Sequence, residues 1–137
     1  NNLILRNPYS TRPWQHVLEP LSGYLTLSQK LFENEKSFEG SWNFGPSTGE
    51  IGSVDVVAKA ILSNFKNIDI EYDIDQKAVY EAGLLQLNCD KAHSLLGWGP
   101  KWNLEQTMNE TALWYKAYLE NKDMNNFTLD QINRYFN

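Results

Sequence analysis

The sequence predicts an α/β chain built from short mixed strands and helices. Three observations carry that prediction. Ile68 to Ile74 alternates apolar and acidic residues, as a half-buried strand does. Apolar residues recur at helical spacing through Pro20–Phe32, Val54–Phe65 and the stretch after Asn103. Glycine and proline punctuate the joints between these segments. At 137 residues the chain is the size of one domain. With 42% hydrophobic and 21% charged residues it belongs among globular chains.

Taken in order, Asn2 to Arg6 reads as a strand and Asn7 to Thr11 as a loop. A helix follows from Pro20 to Phe32, since proline suits a first turn. Its Leu21, Tyr24, Leu25, Ser28, Leu31 and Phe32 form the expected inward face. Asn34 to Gly40 reads as a polar loop, Ser41 to Phe44 as a short strand and Gly45 to Gly52 as a glycine-rich loop. Ser53 is placed to cap a second helix, with Val54, Val57, Ala58, Ile61, Leu62 and Phe65 as its stripe. After the strand at 68–74, Gln76 to Gly83 reads as loop and Leu84 to Leu87 as strand. Asp90 is the expected cap of a short helix closing at Gly97. Asn103 and Gln106 have capping-box spacing before a long helix reaching Glu120, whose inward residues are Leu104, Met108, Thr111, Ala112, Tyr115 and Tyr118 or Leu119. Thr128 and Gln131 repeat that spacing for a last helix, and Asn121 to Asn126 is the expected linker.

Charge and cysteine content narrow the function. Net charge is −5 and the isoelectric point lies near 5.0, which argues against broad capture of nucleic acid. A small anion remains open to the three arginines, Arg6, Arg12 and Arg134. One cysteine, Cys89, excludes an internal disulfide framework and a multi-cysteine zinc site, and fits a reducing cytoplasm. No apolar run reaches the length of a membrane span. His16 and His93 lie far apart and no cluster has metal-ligand spacing, so no metal is expected.

The chemistry-bearing stretch is Arg12-Pro13-Trp14-Gln15-His16-Val17. Arg12 is a fork-shaped donor suited to a phosphate, and Trp14 is a flat apolar wall. The plainer alternative stands beside this: Trp14 and Val17 in the core, Arg12 paired with Glu19, His16 hydrogen-bonded within the fold. Gly45, Gly49 and Gly52 sit between a strand and a helix, with Asp73 about twenty residues on, as in a dinucleotide fingerprint. Their spacing is not G-x-G-x-x-G and Pro46 removes an N–H, so a connecting loop is the preferred reading. Tyr118 and Lys122 have Tyr-x-x-x-Lys spacing but fall at a helix end, where a chance match with an aromatic core residue is preferred. Cys89 beside His93 reads as a small buried hydrophobe rather than a nucleophile. Asp73-Ile74-Asp75 reads as a solvated strand end. Glu81 suits a cytosine amine and equally an exposed loop acid.

Leu5-Arg6-Asn7-Pro8, then Arg12 through Tyr24, resembles the C-terminal half of the nucleotide-sugar dehydratases of the extended short-chain dehydrogenase/reductase family. Trp42-Asn43-Phe44-Gly45-Pro46, Leu95 through Trp102, and Trp114-Tyr115 continue the resemblance in order. It covers nearly the whole chain, and the Arg-Pro-Trp-Gln-His-Val run is its most specific part. Tyr80-Glu81-Ala82 and Asn88 depart from the pattern, where histidine before the glutamate and an aspartate are usual.

The resemblance implies that residues 1–137 are the C-terminal nucleotide-sugar-binding portion of a Rossmann-type enzyme. The N-terminal half, with NAD and the true Tyr-x-x-x-Lys pair, would lie outside this chain. It implies CDP-glucose as substrate, dehydrated to CDP-4-keto-6-deoxyglucose for surface polysaccharide such as lipopolysaccharide O-antigen. Arg12 would hold the diphosphate, with Trp14 and His16 in the same run and Ser53 and Glu81 near the base. The chain alone would hold no NAD, carry no catalytic residue and be inactive, and it would form a homo-oligomer, native or otherwise. Another family enzyme, such as an epimerase, is one alternative. A non-enzymatic sugar- or protein-binding module is the other, since 5 Trp and 7 Tyr suit stacking on sugar rings.

Overall fold

A computed structural model describes residues 2–33, 36–74 and 83–137. Helices dominate: α1 (Leu18–Phe32), α2 (Val54–Leu62), α3 (Asp90–Leu96), α4 (Leu104–Leu119) and α5 (Met124–Phe136). Among the described residues four short strands pair in twos. β1 (Asn2–Leu5) runs parallel to β4 (Asp69–Tyr72), in the register Leu3 to Ile70 and Leu5 to Tyr72. β2 (Thr11–Arg12) runs antiparallel to β3 (Gly52–Ser53). The chain is thus mixed α/β with short strands, as expected.

The caps explain the helix boundaries. Ser53 Oγ accepts from Val56 N, as expected of an N-cap. Asn103 and Gln106 form the full capping box of α4. Gly97 ends α3 at φ 63°, the left-handed conformation in which glycine escapes the Cβ penalty.

Other expectations are corrected. Helix α1 begins at Leu18, two residues before Pro20, which still falls in its first turn. Asp90 is the first residue of α3 and not its cap. Its N–H is taken by Asn88 Oδ1 at 3.0 Å. Helix α5 starts at Met124, because Asp123 accepts from both Asn125 N and Asn126 N. The linker expected through Asn126 therefore shrinks, and Thr128 sits inside the helix, its Oγ1 accepting from Trp114 Nε1 at 3.0 Å. Ser41 to Phe44 forms no strand, and side chains take two of its carbonyls: Lys91 Nζ reaches Ser41 O and Gln15 Nε2 reaches Phe44 O, both at 3.0 Å. Of Leu84 to Leu87 only Leu84 bridges to another strand, at Thr11. Most of the loop expected at 76–83, and the asparagine and glutamate at 34–35, lie outside the described residues.

The core lies where α1, α3 and the Trp98 turn meet. Phe44, Ala92 and Trp98 form its buried cluster, joined by Leu27, Trp42 and Leu96. Helix α1 faces it differently from the expected stripe. Leu18, Glu19 and Gly23 are buried, while Leu21, Tyr24, Leu25, Leu31 and Phe32 are exposed. Gly23 is what allows the close approach, since a Cβ there would stand 2.3 Å from the Phe44 ring. Helix α4 buries Thr107, Met108, Ala112 and Ala117. Tyr115, Tyr118 and Leu119, expected inside, are exposed.

Candidate functional site

The Arg12–His16 run is held by the β2–β3 pair. Arg12 lies opposite Gly52 and Thr11 opposite Ser53. Trp14 N donates to Arg12 O at 2.9 Å, tightening the chain around Pro13. The Trp14 indole N–H donates to Gly52 O at 2.9 Å. Three expected residues, Arg12, Trp14 and Ser53, are therefore brought together at the N-terminus of α2. Trp14 is at once a wall and a tie, because its polar edge anchors the facing strand.

A helix N-terminus offers free amides to an anion, but here they are already engaged. Val54 N donates to Ser10 O and Asp55 N to Pro8 O, each at 3.0 Å. Val56 N donates to Ser53 Oγ at 3.3 Å. An anion at this corner would depend on a side chain, and Arg12 supplies the guanidinium. Its Nη1 donates to Thr11 O at 2.7 Å, which orients the group along β2.

His16 points to the other side of the run. It is 4% exposed and its ring meets Trp102 edge-on at 4.8 Å. Nδ1 accepts from Leu18 N at 3.3 Å, which leaves the ring proton on Nε2. Burial holds its pKa below 6.5, against the opposing pull of Glu110 and Glu19. This is the neutral, hydrogen-bonded interior imidazole of the plainer alternative. Beyond it opens a cleft of about 510 Å3, walled by Gln15–Leu18 on one side and by Trp114, Tyr115 and Gln131 on the other. Glu81 lies outside the described residues.

Sequence reasoning missed the residue around which the interior is tied. Glu19 is 0% exposed. Its carboxylate accepts from Trp102 N at 2.8 Å, from Lys101 N at 3.1 Å and from the Tyr135 hydroxyl at 2.6 Å. Tyr135 Oη also lies 3.0 Å from Ser22 Oγ, which accepts from Trp98 Nε1 at 2.8 Å. One carboxylate thus joins α1, the turn at Trp98–Trp102 and α5. Its one signal in the sequence is a lone acid among Val17, Leu18, Pro20 and Leu21.

The remaining motifs settle more simply. A Cβ at Gly52 would meet Leu104 Cδ2 at 2.7 Å, and one at Gly45 would meet Leu87 Cδ1 at 3.0 Å. These two glycines allow close approach of the Leu104 and Leu87 side chains, while a Cβ at Gly49 would meet nothing within 4 Å among the described residues. Tyr118 is 58% exposed and stacks on Trp114, so it is not the core residue expected. Lys122 lies past the end of α4 and pairs with Glu120 at 2.8 Å. Cys89 is buried, and burial pushes its thiol pKa up, away from the thiolate a nucleophile requires. Among the described residues no three metal-ligating side chains gather, and no helix is long and apolar enough to cross a membrane.

A mixed α/β frame thus gathers an arginine, an indole and a serine at one strand–helix corner. Comparison with known proteins gives the chain a particular likeness. The chain is 40% identical over 123 residues, 89% of its length, to CDP-glucose 4,6-dehydratase of Salmonella typhimurium strain LT2. The resemblance read from the Arg-Pro-Trp-Gln-His-Val run is borne out. The match covers 34% of that enzyme, so the chain spans about a third of its relative's length. No family model matches the chain.

Proposed function

We propose that this chain is the substrate-holding C-terminal part of a nucleotide-sugar dehydratase of the extended short-chain dehydrogenase/reductase type, acting on CDP-glucose. The observation that carries the reading is the 40% identity along 89% of the chain to an enzyme named for that substrate. In the whole enzyme, NAD would be held by the Rossmann half, outside this chain, and would supply reversible hydride transfer. This chain's part is to hold the nucleotide sugar still.

The corner at β2, β3 and α2 supports a division of labour. Arg12 takes the diphosphate through paired N–H groups. Lysine would offer only a point charge. Trp14 closes the apolar side, Ser53 stands next to it on β3, and Glu81 is the acceptor for the cytosine amine. His16 stands behind the run and supports it from within. With the amides of α2 engaged, the guanidinium is the group this reading relies on.

Titration calorimetry with CDP, UDP, dTDP and free glucose tests the reading. We expect saturable heat with CDP, weakened in Arg12→Ala by about 1.5–3 kcal/mol, the scale of a charge-assisted hydrogen bond, with the melting temperature unchanged. Preference for UDP or dTDP would move the chain to another enzyme of the same type. Binding of free glucose without a nucleotide would make it a sugar-binding module. An unchanged Kd with a lowered melting point would make Arg12 structural.

A further inference from the structure

We infer that Tyr135, near the end of α5, is a positioning residue for the Arg12–His16 run, acting through Glu19 and Trp102. The contacts are continuous. The Tyr135 hydroxyl donates to Glu19 Oε2 at 2.6 Å. Glu19 Oε1 receives Trp102 N at 2.8 Å, and the Trp102 ring stands between Tyr135 at 5.1 Å and His16 at 4.8 Å, edge-on to both. The Glu19 N–H in turn donates to His16 O at 3.0 Å. The last helix of the chain is thereby linked to the strand–helix corner where the ligand is proposed to sit.

The chemistry makes this link specific. A fully buried carboxylate is costly unless every lone pair finds a donor. Two of the donors here are consecutive backbone N–H groups of Lys101 and Trp102, which converge on one point because of how the turn is bent. The third is a phenol. Removing it leaves the carboxylate one donor short, and the carboxylate must then move toward the remaining N–H groups or admit water. Either response shifts Trp102 against His16. Packing alone would instead be insensitive to the loss of one oxygen atom.

The site role rests on the proposed function, but the link itself does not, so the test has two arms. In the first, the His16 ring resonances are followed by NMR in the native chain, Tyr135→Phe and Ser22→Ala. Leu5→Ala, a truncation in β1 remote from the network, serves as a stability control. The edge-on Trp102 ring gives His16 a ring-current shift. We expect both network variants to change that shift and the His16 titration midpoint, while Leu5→Ala changes neither. In the second arm, the same proteins are titrated with CDP, and Tyr135→Phe is expected to weaken binding roughly tenfold. Unmoved His16 resonances in Tyr135→Phe and Ser22→Ala, with melting temperatures lowered as in Leu5→Ala, would overturn the inference. Moved resonances with no CDP binding even by the native chain would uphold the link and reject the ligand reading.

Discussion

Single atoms decide much of this molecule's behaviour. Trp14 keeps its ring against the corner and its N–H on Gly52 O at 2.9 Å. Trp14→Phe preserves most of the ring and removes that donor, so it should cost about 1 kcal/mol in chemical denaturation. An unchanged midpoint would mean the bond contributes nothing net. His16 gives a pH dependence whose sign follows from its burial. Its folded pKa lies below 6.5, so near and below that value the unfolded chain binds more protons than the folded one. Stability is then fully present above about pH 6.5 and falls as pH drops through the folded pKa. Urea midpoints between about pH 7.5 and 5.5 should show this fall, and His16→Gln should flatten it. The arginine and the aromatics of this run were legible in the sequence because each has distinctive chemistry. Glu19 was not, because nothing in a lone acid tells whether it faces water or three converging donors.

Helices were legible wherever a cap wrote its own boundary. Asn103 with Gln106, Ser53 and Gly97 each mark an end through a short-range hydrogen bond or a backbone conformation that a few residues determine. The start of α5 misled because Thr128 and Gln131 share the spacing of a capping box, while Asp123 does the capping five residues before Thr128. Two substitutions separate these roles. Asp123→Ala should cost about 1 kcal/mol and fray the first turn, visible as faster amide exchange at Asn125 and Asn126. Thr128→Ala should leave that turn intact and instead unpair Trp114 Nε1. Protection unchanged in Asp123→Ala would refute the assignment. Strands were less legible, since at Ser41–Phe44 lysine and glutamine side chains take two carbonyls that a ladder would otherwise use. The inward face of α1 was misread for a related reason. Most of its expected apolar stripe is outside, and a glycine and a hydrogen-bonded acid pack inward beside Leu18 and Leu27. Gly23→Ala should therefore destabilise by about 1–3 kcal/mol, as overpacking does, against the Phe44 ring 2.3 Å away. A neutral result would show that Phe44 can turn aside.

At the scale of the whole molecule, many large apolar side chains among the described residues are exposed. Parallel strands are normally buried on both faces, yet β1 and β4 form a parallel pair with Leu3, Ile4 and Tyr72 exposed. Among the described residues this sheet has two strands, and the edges of such a sheet invite further strands. On α1, Leu21, Tyr24, Leu25 and Phe32 are exposed, Phe32 at 89%. Contiguous patches of this kind mark surfaces that another body covers, and the relative found here is about three times as long as the matched region. Alone in solution, the chain should associate with itself in a concentration-dependent way, through the open β1–β4 edges, the α1 face, or both. Net charge of −5 opposes this, so added salt should strengthen it by screening. Light scattering across a concentration series at low and high salt measures the effect. Ile4→Lys places a charge on the β1 edge and Leu25→Lys one on α1. Because both positions are exposed, neither should lower the melting temperature much, and whichever restores the monomer identifies the surface used. A monodisperse monomer at high concentration and high salt would mean that these faces are solvated as they stand, and that covering them is no part of how this chain works.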